Sequence, residues 1–177
     1  MAHFITTTLR TALRTTMFLI ATLLLISMAA CSKPAIVNGK AIVDLDGKSY
    51  TLDIVADDAT RERGLGGIAE LPDNGGMLFV FPNSRLRTFV MRDCLIDIDI
   101  IFLDPSGRIV AMHHMPAEGL KADNESPTQY EQRLKRYPSR FSAKFAIEID
   151  GGKLETMNLK EGQLIKLDVD YLKSIVQ

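Results

Sequence analysis

Three groups of residues have the types and spacing to do chemistry. Asp97 and Asp99 stand two apart in the run Leu95 to Leu103. In an extended strand that spacing puts both carboxylates on one face, about 7 Å apart. Such a pair can divide acid and base roles, or hold a hard cation. It also fits a plainer reading, a solvated strand end with Asp99 paired to an arginine, for which Arg63 and Arg92 are the candidates. Asp99 has Ile101 as its neighbour on that face, so an ionised group there needs a partner.

The second group is Met112-His113-His114-Met115, with Met77, Met91 and Cys94 elsewhere in the chain. Imidazole, thioether and thiol donors together suit a soft metal such as Cu(I). Successive strand residues point to opposite faces, which works against His113 and His114 sharing one ion. Packing explains the methionines equally well. The third is Cys94, which with a histidine and an aspartate could form a nucleophile triad. A cysteine on a strand is also a small residue well suited to burial.

The elements that must position these groups are short and β-rich. Lys40 to Leu45 and Lys48 to Ala56 are β-type runs joined by Asp46-Gly47, a hairpin signal. Asp57 can cap a short helix ending at Arg63, with Gly64 closing it. Met77 to Phe81, Leu86 to Met91 and Leu95 to Leu103 read as strands. Ile96, Ile98, Ile100 and Phe102 fall on one face of the last, with Leu95, Asp97, Asp99, Ile101 and Leu103 on the other. Arg108 to Met115 returns as its hairpin partner after the turn Asp104-Pro105-Ser106-Gly107. A charged stretch from Ala117 to Arg140 holds a helix around Gln129 to Arg136 and offers a surface for a partner. Ala143 to Ile149 and Gln163 to Val169 complete the strands, with one helical turn at Thr156 to Lys160. The expected fold is mainly β, a small antiparallel barrel-like or sandwich domain with one or two short helices.

The N-terminus has a separate logic. Met1 to Thr16 is polar, carries Arg10 and Arg14 and has no acid; Met17 to Met28 is an apolar run of 12 residues; Ala29-Ala30-Cys31 closes it with small residues. This is the layout of an export signal, and the run falls well short of the roughly 20 residues a spanning helix needs. Met28-Ala29-Ala30-Cys31 resembles the lipobox of bacterial lipoproteins, which implies cleavage before Cys31 and its lipidation. By the same resemblance Ser32, where an Asp would favour inner-membrane retention, implies the outer membrane with the domain facing the periplasm. The expected organisation is a signal over 1–30, a lipidated Cys and tether over 31–39, and one domain over 40–177.

Beyond Cys31 lie 146 residues, enough for one domain with a real core. Without Arg10 and Arg14, 19 cationic residues face 22 acidic ones, a net charge of −3, which argues against a nucleic-acid partner. With Cys31 acylated, Cys94 has no partner for an internal disulfide, so packing must supply the stability.

The middle of the chain resembles the family known as domain of unknown function 192. The matching stretches are Arg61-Glu62-Arg63-Gly64-Leu65, Gly76-Met77-Leu78-Phe79-Val80-Phe81, Phe89-Val90-Met91-Arg92-Asp93-Cys94, Ile98-Asp99-Ile100-Ile101-Phe102 and Ala146-Ile147-Glu148. The chain departs from the family pattern at Gly66, Val90, Asp93, Cys94 and Asp97. The resemblance implies a small barrel-like β fold and no established activity.

These observations lead to an expected non-enzymatic binding or accessory module, held to the membrane by lipid, with a small ligand or an envelope protein as partner. Its pocket would draw on Arg63, Met91, Asp93, Asp99 and Glu148, with no cofactor. Two alternatives stand beside it: a soft-metal protein using His113, His114, Met115 and Cys94, and a hydrolase built on Asp97 and Asp99 or on Cys94.

Overall fold

The computed structural model describes residues 35–176. The expected signal, Cys31 and the first residues of the expected tether lie outside them.

The strands are β1 (Ala35–Val37), β2 (Lys40–Leu45), β3 (Lys48–Val55), β4 (Gly75–Arg85), β5 (Thr88–Phe89), β6 (Ile98–Leu103), β7 (Ile109–Met115), β8 (Tyr137–Pro138) and β9 (Ala143–Asp150). The helices are α1 (Asp58–Arg63), α2 (Pro127–Arg133) and α3 (Val169–Ile175), with a 3-10 turn at Leu154–Thr156. Seven strands form one sheet in the order β1-β2-β3-β4-β9-β6-β7, curled as a half-barrel, and β5 pairs with β8 apart from it.

The fold is mainly β, as the sequence indicates, but the sheet is mixed. β3 and β4 run parallel, from Thr51 opposite Gly75 to Val55 opposite Phe79. A parallel neighbour needs a crossover, and the segment carrying α1 supplies it. Asp57 caps α1 by accepting from the Thr60 amide, and Gly64 closes it at positive φ, its amide donating to the Thr60 carbonyl. The β2–β3 turn falls where expected, with Asp46 and Gly47 both at positive φ. Several expectations are corrected. The helical turn expected over 156–160 forms at Leu154–Thr156, and the strand expected from Leu95 begins at Ile98. Part of the tether, Ala35 to Val37, is a sheet strand. The strand expected over 86–91 shrinks to Thr88–Phe89. Gln163 to Val169 forms a bridge between Leu164 and Arg108 rather than a strand, and Asp168 then caps α3.

The sheet has an apolar core on each face. The first holds Tyr50, Leu52, Leu78, Val80, Ile101, Leu103, Phe145 and Ile147, covered in part by Leu172 of α3. The second holds Phe79, Phe81, Met91, Ile98, Ile100, Phe102, Met115 and Tyr137. β6 is buried along its whole length because it lies between both cores.

Gly76 lies against β9, where a Cβ would collide with the Glu148 carbonyl oxygen, a backbone atom that cannot swing aside. Gly76→Ala is therefore expected to cost about 2 kcal/mol or more. A lowered urea midpoint with an unchanged slope would show this; an unchanged midpoint would mean that the strands part without penalty.

Candidate functional site

The five residues expected to share a pocket occupy three different places. Asp99 projects into the first core, directly opposite His114 on β7. Its Oδ1 lies 2.7 Å from His114 Nδ1, and its Oδ2 accepts from the Leu154 amide at 2.7 Å. Asp99 is fully buried. The hydrogen bond to it raises the pKa of His114, burial opposing and Asp97 assisting. Asp97 accepts from the Ala117 amide and lies 3.8 Å from His114 Nε2. The two aspartates thus flank one imidazole, and Asp99 ties the 3-10 turn to the sheet.

Glu148 projects the other way. In register it lies between Met77 of β4 and Ile100 of β6, on the second face. Burial pushes its carboxyl up to about 8, against a smaller opposing effect of the Leu65 amide. Its Oε2 has no hydrogen-bond partner among the described residues. Met91 and Cys94 belong to the same core. Burial first, then Glu148, Asp93 and Glu118, push the Cys94 thiol up to about 12, so it stays protonated and poorly nucleophilic at neutral pH. Arg63 and Asp93 are exposed. The Tyr130 hydroxyl accepts from the Asp93 amide and donates to its carboxylate.

His113 and His114 diverge to opposite faces. His113 Nε2 lies 2.8 Å from the Pro138 carbonyl, and its ring packs between Phe102 and Tyr137. Met115 is fully buried. Among the described residues, no group of three or more His, Cys, Asp or Glu side chains could hold a metal ion.

An open groove of about 380 Å³ lies elsewhere, between α1 and the segment from the end of β4 to Arg92. Arg61, Arg85, Arg87 and Arg92 line it with Glu62, and Phe81, Leu86, Phe89 and Val90 supply its apolar part. Phe89 fixes the floor, meeting Phe79, Phe81 and Phe102 edge to face with centroids 5.2–6.3 Å apart. β5 holds Phe89 in place by pairing it with Tyr137.

The four arginines differ in how they are engaged. Arg61 donates to the Val80 carbonyl and to Asp58. Arg92 makes a two-point bond to Glu131, at 2.5 and 2.9 Å, with Glu62 at 3.9 Å. Arg85 and Arg87 have no carboxylate partner among the described residues. Yet Arg87 is only 8% exposed. Its guanidinium lies 4.0 Å over the Phe81 ring, and Nη2 donates to the Asn83 carbonyl and side chain. Its Nε is buried with no partner. Its backbone is locked to Ser139 by two hydrogen bonds, at 3.0 and 2.8 Å. Burial, then Arg85 and Arg61, lower its pKa to about 10, so it remains cationic at neutral pH. A buried guanidinium with like charges beside it and spare donors can receive an anion with little reorganisation.

The groove is not among the sites expected from the sequence. In the Arg61-Glu62-Arg63 motif it is Arg61 that lines the groove, and Arg63, the expected pocket residue, faces solvent. The available signal was Arg85-Leu86-Arg87 beside Phe81 and Phe89. In extended chain its two arginines share a face.

The model of the family called DUF192, described as Uncharacterized ACR, matches residues 41–167. Two solved structures are similar. One, from Sinorhizobium meliloti, is described as a "putative transcription regulator"; it is 19% identical, with a TM-score of 0.57 over 76% of this chain and 95% of its own. The other, a protein of unknown function from Novosphingobium aromaticivorans, is 25% identical, with a TM-score of 0.52 over 78% of this chain and 96% of its own. No curated protein matches.

Proposed function

The chain belongs to the DUF192 family, and from that premise we propose that the protein is a lipid-anchored envelope module that binds a small ligand in the arginine groove. One observation carries the binding half of this reading. The groove combines an ordered aromatic floor with a buried, pre-positioned guanidinium that no carboxylate among the described residues neutralises. Concave sites that mix apolar lining with a few fixed polar groups are the usual form of small-ligand sites. The anchoring half rests on the export signal and Cys31. Two or three acyl chains there would hold the domain to the membrane, since each buried CH₂ contributes about 0.8 kcal/mol.

Mass spectrometry of the full chain isolated from membranes tests both halves. The expected denatured mass is that of a chain beginning at Cys31 with acyl groups added, and Cys31→Ser should lose them. A chain that retains Met1 without acyl groups contradicts the anchor. Under native conditions a small-molecule adduct is expected that Arg87→Gln loses. An adduct held equally by Arg87→Gln and Arg85→Gln contradicts the groove.

A further inference from the structure

Resting on that reading of the groove, we propose that its ligand is a phosphate monoester with an apolar body. The phosphoryl oxygens would be held between Arg85 and Arg87, and the body would lie along Phe89 and Leu86.

Four guanidiniums line the groove, and two of them already have carboxylate partners, Arg61 in Asp58 and Arg92 in Glu131 with Glu62. Arg85 and Arg87 remain as two positive charges without a counter-ion among the described residues. A phosphate monoester carries about −1.5 to −2 at neutral pH and matches them, whereas a carboxylate or phosphodiester would leave one charge unmet.

The donors also suit a tetrahedral oxyanion. Arg87 uses only Nη2 for protein hydrogen bonds, toward Asn83, leaving Nη1 for a ligand. Phe81 lies beneath it and the Ser139 lock holds its backbone, so little freedom is lost on binding. Arg85 is exposed and lines the same groove.

The apolar lining places the rest of the ligand. Leu86 is 65% exposed, and Phe89 presents the ordered floor. An aryl or acyl group on the phosphate would cover both. Two sources share this chemistry: a soluble aryl or alkyl phosphate, and a lipid with a monoester headgroup.

Calorimetric titration of the purified full chain tests the proposal, with phenyl phosphate, short-chain phosphatidic acid, benzoate and phenol as probes. Phenyl phosphate is expected to bind saturably, to weaken about tenfold in Arg85→Gln, and to weaken with added salt. Arg85 is exposed, so this variant should fold even if Arg87→Gln does not. Tighter binding of phosphatidic acid than phenyl phosphate would identify the lipid source, and the reverse the soluble one. No phosphate binding, or benzoate or phenol binding as well as phenyl phosphate, would overturn the phosphoryl assignment. That failure is distinct from failure of the groove reading. A native adduct lost in Arg87→Gln, with no phosphate binding, keeps the groove and discards the phosphate. An adduct unaffected by either arginine variant discards the groove.

Discussion

Glu148→Gln is expected to raise stability at pH 8 by roughly 3–4 kcal/mol relative to the unmodified protein, while changing little at pH 4. Burial between Met77 and Ile100 lifts the Glu148 carboxyl from 4.5 to about 8 in the folded chain. The native state therefore binds a proton that the unfolded chain releases above its ordinary pKa. This favours folding at low pH, and the stability is lost as pH rises from about 4.5 through about 8. Glutamine has the shape of the neutral acid, keeps an acceptor for the Leu65 amide and cannot ionise. Melting temperatures at both pH values measure the effect, about 10 °C at pH 8 for a domain of this size. A smaller slope will persist in the variant. His114, whose pKa is raised chiefly by Asp99, also contributes stability that is present below its ordinary pKa and lost as pH rises through the raised one. Parallel pH profiles for the two proteins would refute the assignment of a neutral carboxyl to the second core.

Asp99→Ala should lower stability by about 3 kcal/mol. The carboxylate is fully buried and accepts from both His114 and the Leu154 amide, so truncation removes two charge-assisted hydrogen bonds and strands a part-buried amide. Asp99→Asn keeps an acceptor for Leu154 and should cost less. In both variants the His114 imidazole should titrate at lower pH, because the hydrogen bond that raises it is lost or weakened. Urea unfolding with proton NMR of the imidazole separates the two effects. An unchanged midpoint would show that the 3-10 turn is held without Asp99.

These two carboxylates also show how far the sequence could be read. Both were singled out as members of one pocket. Alternation along β6 correctly put Asp99 beside Ile101, and an ionised group there was expected to need a partner. Its partner proved to be His114 rather than an arginine. That pairing follows from the register of the β6–β7 hairpin, which places Asp99 opposite His114. Glu148 lies on the other face, and no pattern in its own strand reveals this, because Ala143 to Ile149 is buried on both sides. When both faces are apolar, alternation no longer marks an inside and an outside.

Turns and caps were the most legible features, since Asp46-Gly47, Asp57 and Gly64 act through local geometry. The boundaries of α2 were less so. Ser126, Pro127 and Gln129 make a capping box that begins the helix at Pro127, two residues before the expected start. The parallel β3–β4 pair was not legible, and the groove showed only in Arg85-Leu86-Arg87 beside Phe81 and Phe89. Both depend on chain segments that meet only through tertiary packing: the α1 crossover in one case, the Arg87–Ser139 lock in the other.

Whether Arg85 and Arg87 receive the ligand can be read from nitrogen-15 NMR of the arginine side chains, recorded while phenyl phosphate is added to the full chain. The Arg85 and Arg87 Nε–H resonances are expected to shift together and saturate, while Arg108 and Arg136, outside the groove, stay in place. Equal small shifts at all arginines, or shifts confined to those outside the groove, would contradict it.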